Sequence, residues 1–106
     1  MKNLFFFILF FFIINNYAYA NLKTLNCENI LTKSKANIVY GENFAKEEML
    51  PNIWLFFQKI TLTNNKLSLI SLDDEKNIRE WKINLTSGEA ILIPMFDPSS
   101  KWLCKI

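Results

Sequence analysis

The stretch Ile60–Leu69, which reads ITLTNNKLSL, decides the class of fold. Apolar and polar residues alternate on both sides of a central Asn-Asn pair, and alternation of period two is typical of a half-buried β-strand. Asn tolerates positive φ, so Asn64-Asn65 can form a two-residue type I′ turn. In that register Leu62 lies opposite Leu67, and the apolar side chains of both arms share one face. The stretch therefore predicts an antiparallel β-hairpin.

The same alternation continues towards the end of the chain. The segment Arg79–Leu85 alternates strictly, and Thr86–Gly88 supplies the turn after it. A more apolar strand follows over Glu89–Phe96, where Pro94 predicts an edge position or a bulge because proline lacks an N–H. A last strand is predicted over Lys101–Ile106.

The N-terminal third carries weaker signals. Strands are predicted within Leu22–Thr32, which alternates loosely, and at Ile38–Tyr40. The segment Phe44–Leu50 contains the helix formers Ala-Lys-Glu-Glu-Met-Leu and ends before Pro51, so it predicts one short helical turn. A further strand begins at Asn52 and runs towards the hairpin.

These elements give six to eight short consecutive strands. Such a pattern predicts a mainly β fold, an antiparallel meander that closes into a small barrel or folds as a sandwich, with one helical turn near residues 44–50. The bulky side chains expected in its core are Trp54, Phe56, Trp81, Phe96 and Trp102.

The first twenty residues have the layout of a signal peptide. Lys2 precedes the eleven-residue apolar run Leu4–Ile14, and Ala18-Tyr19-Ala20 follows. A spanning helix needs about 20 apolar residues, so the run predicts a cleaved signal over residues 1–20 and no stable membrane span after cleavage. Residues 21–106 then form one exported domain, periplasmic or secreted. The abundance of Phe, Ile, Asn and Lys is typical of an AT-rich bacterium.

The two cysteines of the chain, Cys27 and Cys104, are predicted to form a disulfide. Export carries them to an oxidising compartment, and a domain of this size buries only a modest fraction of its surface. The alternative is two free thiols, one of which pairs with another chain. A disulfide would join the first strand to the last and fix both ends of the domain.

Composition excludes several classes of chemistry. The sequence has no histidine, which removes Ser-His-Asp and Cys-His catalysis and histidine-based zinc sites. Only two glycines are present, so there is no Gly-rich phosphate loop. The acidic run Asp73–Glu75 lacks the ligand spacing of a calcium loop and is interpreted as a solvated turn. Asn84 begins a glycosylation sequon, whose use depends on the source of the protein. We expect no enzymatic activity, metal or cofactor.

The charge of the exported domain is nearly balanced. Eleven Lys and Arg residues stand against ten Asp and Glu residues after the signal. A formal charge of +1 predicts neither a nucleic acid nor a strongly anionic membrane as partner.

The most apolar stretch of the exported domain is Asn52–Phe57, reading NIWLFF. One interpretation is a central strand with both faces covered. The other is an exposed binding patch on the face opposite Trp54 and Phe56. The candidate members of that patch are Leu55, Phe57, Ile70 and Leu72, with Leu92 and Phe96 as extensions.

These observations favour a non-catalytic interaction module that binds another envelope or extracellular protein. A carrier of a small apolar ligand and a structural envelope component are alternatives. Small periplasmic lysozyme inhibitors are also exported, β-rich and closed by a disulfide, and the chain is similar to them in architecture. Their functional loop is Ser/Gly-rich, and Thr86–Ala90 contains a fragment of that signature. The similarity implies inhibition of a lysozyme-type enzyme as a further alternative and assigns no residue roles.

Overall fold

A computed structural model describes residues 22–105, so the predicted signal peptide, its cleavage site and Ile106 lie outside the described residues. Strands are the regular elements of the described chain, which confirms the mainly β prediction. They are β1 (Lys23–Asn29), β2 (Lys35–Tyr40), β3 (Ala45–Leu50), β4 (Ile53–Phe56), β5 (Lys59–Leu62), β6 (Lys66–Asp73), β7 (Lys76–Asn84), β8 (Glu89–Pro94) and β9 (Ser100–Lys105).

The strands form one antiparallel sheet in the order β4-β3-β2-β1-β9-β8-β7-β6-β5, curled into a half-barrel. The two end strands follow each other in the chain and are joined by Phe57-Gln58. The Phe57 amide donates to the Ala45 carbonyl at 3.0 Å, and the Gln58 amide donates to the Ile70 carbonyl at 3.0 Å. The chain therefore crosses at this corner from one end of the sheet to the other.

The hairpin predicted over residues 60–69 is confirmed in its register. Leu62 pairs with Leu67, and Ile60 pairs with Leu69. The type I′ turn is wrong, because Asn64 and Asn65 are not among the residues with positive φ.

The two-residue turn with positive φ at both central positions lies instead between β6 and β7. Asp74 has φ 49 and Glu75 has φ 65, and the flanking Asp73 and Lys76 pair with each other. Two positive φ values define a type I′ turn, whose twist matches the long ribbon that β6 and β7 form. The acidic run is thus a turn, as its spacing indicated.

The helical turn predicted at residues 44–50 is wrong, because β3 occupies that segment. Ala45 and Glu47 are buried while Lys46 and Glu48 are half-buried, which is the period of a strand. β3 pairs with β2 on one side and with β4 on the other. Helix propensities differ by less than about 1 kcal/mol per residue, so two ladders of backbone hydrogen bonds outweigh them.

The core agrees with the expected set of aromatic residues only in part. Trp81 and Trp102 are buried and pack edge to face, with ring centroids 5.2 Å apart. Trp54 is half-buried, Phe56 is largely exposed, and Phe96 lies 89% exposed in the β8–β9 connection.

The register of β4 explains why Trp54 and Phe56 leave the core. Leu55 pairs with the buried Glu47, so Leu55 faces the interior and its two neighbours face outwards. Phe57 follows in the same phase as Leu55 and is buried. Since every apolar residue of this stretch is bulky, the sequence alone does not show which side chains face the core and which face outwards.

The disulfide between Cys27 and Cys104 is present, as predicted. The two residues lie directly opposite each other where β1 pairs with β9. Pro94 is the last residue of β8, an internal strand, and it lies beyond the part of β8 that pairs with β9. The missing N–H of proline therefore interrupts no ladder on that side.

Candidate binding surfaces

The four residues of the predicted patch do not share one exposed surface. Phe57 is 5% exposed and belongs to the core, and Leu55 packs against that core. Ile70 and Leu72 are half-buried on β6. Of the two extensions, Leu92 is buried, while Phe96 is exposed in a loop. A binding role for these residues stays a prediction.

Exposed apolar side chains are concentrated on the β3–β4 hairpin instead. Five of the twelve large apolar side chains exposed in the described chain lie within residues 44–56. We call this set the β3–β4 apolar surface; its members are Phe44, Met49, Leu50, Ile53 and Phe56.

The base of this surface is aromatic. Phe44 and Phe56 pack edge to face with ring centroids 6.0 Å apart. The Lys46 ammonium lies 4.2 Å from the centre of the neighbouring Trp54 ring, a cation–π contact that holds the indole against the outer face of the sheet. Trp54 and Phe56 lie on the same side of the sheet because both side chains point outwards from β4.

The tip of the surface is formed by the turn between β3 and β4. Pro51 fixes its own φ, and Asn52 adopts φ 65, which Asn tolerates at the second central position of a type II turn. The pairing shifts between Glu48 and Leu50, where β3 is irregular. Met49, Leu50 and Ile53 flank this turn and are exposed.

Strand β4 ends the sheet, and β3 is its only strand neighbour among residues 22–105. The carbonyl oxygen of Phe56 accepts hydrogen bonds from Ser71 Oγ and Gln58 Nε2, each at 3.1 Å. Gln58 Oε1 in turn accepts from the Leu72 amide at 2.6 Å. Side chains thus tie the end of β4 to β6, where no ladder joins the two strands.

A buried polar cluster anchors β3 from below. Glu47, 2% exposed, accepts two hydrogen bonds from Arg79 at 2.8 and 2.7 Å and one from the Trp81 indole N–H at 2.7 Å. The cluster joins β3 to β7 across the interior. These three hydrogen bonds hold the hairpin in place.

Sequence reasoning missed both the surface and its anchor. The sequence signals for this cluster were Arg79, the one arginine of the chain, and Glu47, which would lie on the same face of a strand as Ala45. That shared face is visible only once residues 45–50 are read as a strand. The register of β4 then assigns Phe56 to the outside.

Within residues 22–105, no group of three or more His, Cys, Asp or Glu side chains is arranged to hold a metal ion. Over the same residues, the structure contains no helix with the length and apolar character needed to cross a membrane. Comparison with protein-family models, curated proteins and solved structures gives no match. A functional proposal therefore rests on the geometry of these surfaces.

Proposed function

We propose that the chain is an exported, non-catalytic protein-binding module that contacts its partner through the β3–β4 apolar surface. The observation that carries this proposal is the concentration of exposed Phe, Met, Leu and Ile side chains on one hairpin at the end of the sheet. Exposed apolar side chains that cluster on one element mark interaction sites, and aromatic and Met residues are enriched in interfaces.

The rigidity of the hairpin supports the same conclusion. The Glu47 cluster fixes β3 to β7, and the Phe44–Phe56 contact fixes the rings against each other. A surface that is ordered before binding loses less conformational entropy when the complex forms. The partner would present an apolar segment that covers Phe44 and Phe56.

The packed interior favours surface binding over a carrier function. Ile38, Leu69 and Trp81 fill the inside of the half-barrel and are fully buried. An apolar ligand would have to displace these side chains from a close-packed core.

Export is supported by two independent features. The signal-peptide layout of residues 1–20 predicts it, and the Cys27–Cys104 disulfide is the chemistry of an oxidising compartment. The partner is accordingly expected among envelope or extracellular proteins.

A matched pair of variants tests the proposal. Phe56 and Leu103 are both 51% exposed, but only Phe56 belongs to the β3–β4 apolar surface. Affinity capture from the exporting host, followed by titration of the purified partner, should show binding lost in Phe56→Lys and retained in Leu103→Lys. Hydrogen exchange should slow at β3 and β4 in the complex. If a purified partner binds both variants as well as the unaltered protein, the surface is assigned wrongly.

A further inference from the structure

A trough of about 630 Å³ crosses the outer face of strands β5 to β9, on the half of the sheet that does not carry the β3–β4 apolar surface. One wall is a row of side chains that are successive cross-strand neighbours from β9 to β5. Its members are Lys101, Ile91, Lys82, Ser68 and Thr61. The other wall includes Glu89, Asn84, Lys66 and Thr63.

The floor of the trough is backbone. Between the two walls runs the row Trp102, Ala90, Ile83 and Leu67, whose side chains are buried on the inner face. The peptide groups of these residues lie in internal strands and are engaged in the sheet ladders. A ligand must therefore be recognised by the surrounding side chains, which are hydroxyls, an amide, ammonium groups, one carboxylate and the exposed apolar side chains of Ile30 and Ile91.

The charge of the trough is positive. Three lysines face one glutamate, and among the described residues Lys66 and Lys101 have no carboxylate within the 4.0 Å that defines an ion pair. Lys82 lies 3.9 Å from Glu80, and its side chain is 61% exposed. Ammonium groups without a close counter-ion favour an anionic ligand.

The spacing of the lysines indicates the form of that ligand. Lys82 and Lys101 lie in one row, two strands apart, which corresponds to about 10 Å. A pyranose ring spans about the distance between neighbouring strands, so acidic groups on alternate sugars of a chain would meet both lysines.

From this geometry we propose that the trough binds an anionic oligosaccharide lying across the strands. Sugar hydroxyls find hydrogen-bonding partners in Thr61, Ser68 and the Nδ2 amide group of Asn84, whose Oδ1 already accepts from the Thr86 and Ser87 amides, and acidic groups pair with the lysines. An acidic peptide fits less well, because its backbone N–H and C=O groups would meet a floor whose own peptide groups are already paired. This site is independent of the β3–β4 apolar surface.

Calorimetric titration with a galacturonate hexamer tests the proposal. The protein should bind the hexamer in low salt, and the affinity should fall as salt is added. The fully methyl-esterified hexamer, which has the same sugars without charge, should not bind. The double variant Lys82→Gln/Lys101→Gln removes two exposed ion pairs with the ligand and should weaken binding about tenfold.

The control removes two lysines outside the trough, one on β5 and one on β7, as Lys59→Gln/Lys76→Gln, and should bind like the unaltered protein. Equal weakening in both double variants would overturn the proposal in favour of unspecific charge attraction. So would equal affinity for the esterified hexamer. Tighter binding to a hexaglutamate peptide, or to vesicles containing phosphatidylglycerol, would replace the saccharide by those classes of ligand.

Discussion

Glu47 is a buried charged side chain that joins β3 to β7 across the interior. Its carboxylate is buried and accepts three hydrogen bonds, two of them from the charged Arg79. Glu47→Gln places an amide N–H₂ against donors and leaves Arg79 without a carboxylate. We expect the free energy of unfolding to fall by about 3 kcal/mol, at the lower end for a broken buried pair because Arg79 is partly exposed.

Urea unfolding measures this loss, and Glu80→Gln is the matched control. Glu80 lies on β7 and forms an ion pair with Lys82 at 3.9 Å, longer than the Glu47–Arg79 pair. The Lys82 side chain of this pair is exposed to solvent. Its removal should cost less than about 1 kcal/mol. Equal losses in the two variants would mean that the cluster does not anchor β3.

Tyr40 gives the protein a dependence on alkaline pH. Burial raises the pKa of its phenol above the ordinary value of 10.0, because the charged form is desolvated. Well below pH 10 the phenol is neutral in both states and contributes no pH dependence. Above pH 10 the unfolded chain loses this proton more readily, so stability falls as pH rises towards the folded pKa.

This tyrosine can be observed alone in the chain from residue 21 onwards, because the other two tyrosines lie within the first twenty residues. Absorbance titration at alkaline pH should give a midpoint above that of the urea-unfolded chain. Tyr40→Phe should flatten the decline in stability between pH 9 and 11. A midpoint at or below that of the unfolded chain would contradict the prediction.

Among the elements, the β7–β8 hairpin depends on one glycine. Gly88 has φ +82, its amide donates to the Asn84 carbonyl at 2.8 Å, and a Cβ there would overlap the carbonyl oxygen of Cys104. Gly88→Ala should destabilise the fold by about 1 to 3 kcal/mol. Gly41→Ala is the control, because its Cβ would meet only the end of the Leu22 side chain. Thermal unfolding compares the two, and an equal shift in Tm would contradict this role of Gly88.

A strand could be predicted from the sequence where its apolar and polar residues alternate clearly enough to show which face is buried. Strands β5 to β9 could be predicted because alternation fixes their inner face, as Trp81 and Ile83 show. Strand β3 could not, because Glu47 resembles a surface helix residue until its partners Arg79 and Trp81 are known. The β3–β4 apolar surface was missed for the same reason. The run of bulky residues at 52–57 does not show which side chains face the core, and only the pairing of Leu55 with Glu47 determines this.

At the scale of the whole molecule, the sheet has a short seam where β1 and β9, the first and last described strands, meet. β1 and β9 pair over four positions, as several other neighbouring strands do, whereas β6 and β7 pair over eight. The Cys27–Cys104 bond lies within this short seam and joins residues separated by 77 positions. The disulfide therefore closes a loop that contains almost all of residues 22–105.

Removing the disulfide should accordingly open the seam before the rest of the sheet. Cys27→Ala/Cys104→Ala should lower the free energy of unfolding by up to about 4.5 kcal/mol, the loop-closure entropy for this separation. Urea unfolding measures the total loss in free energy of unfolding, and hydrogen exchange shows which strands are destabilised. Amides of β1 and β9 should lose protection while those of β6 and β7 keep theirs, because the long ribbon between β6 and β7 and the Glu47 cluster hold the remaining sheet. Uniform loss of protection across all strands would show instead that the sheet unfolds as one unit and has no separate seam.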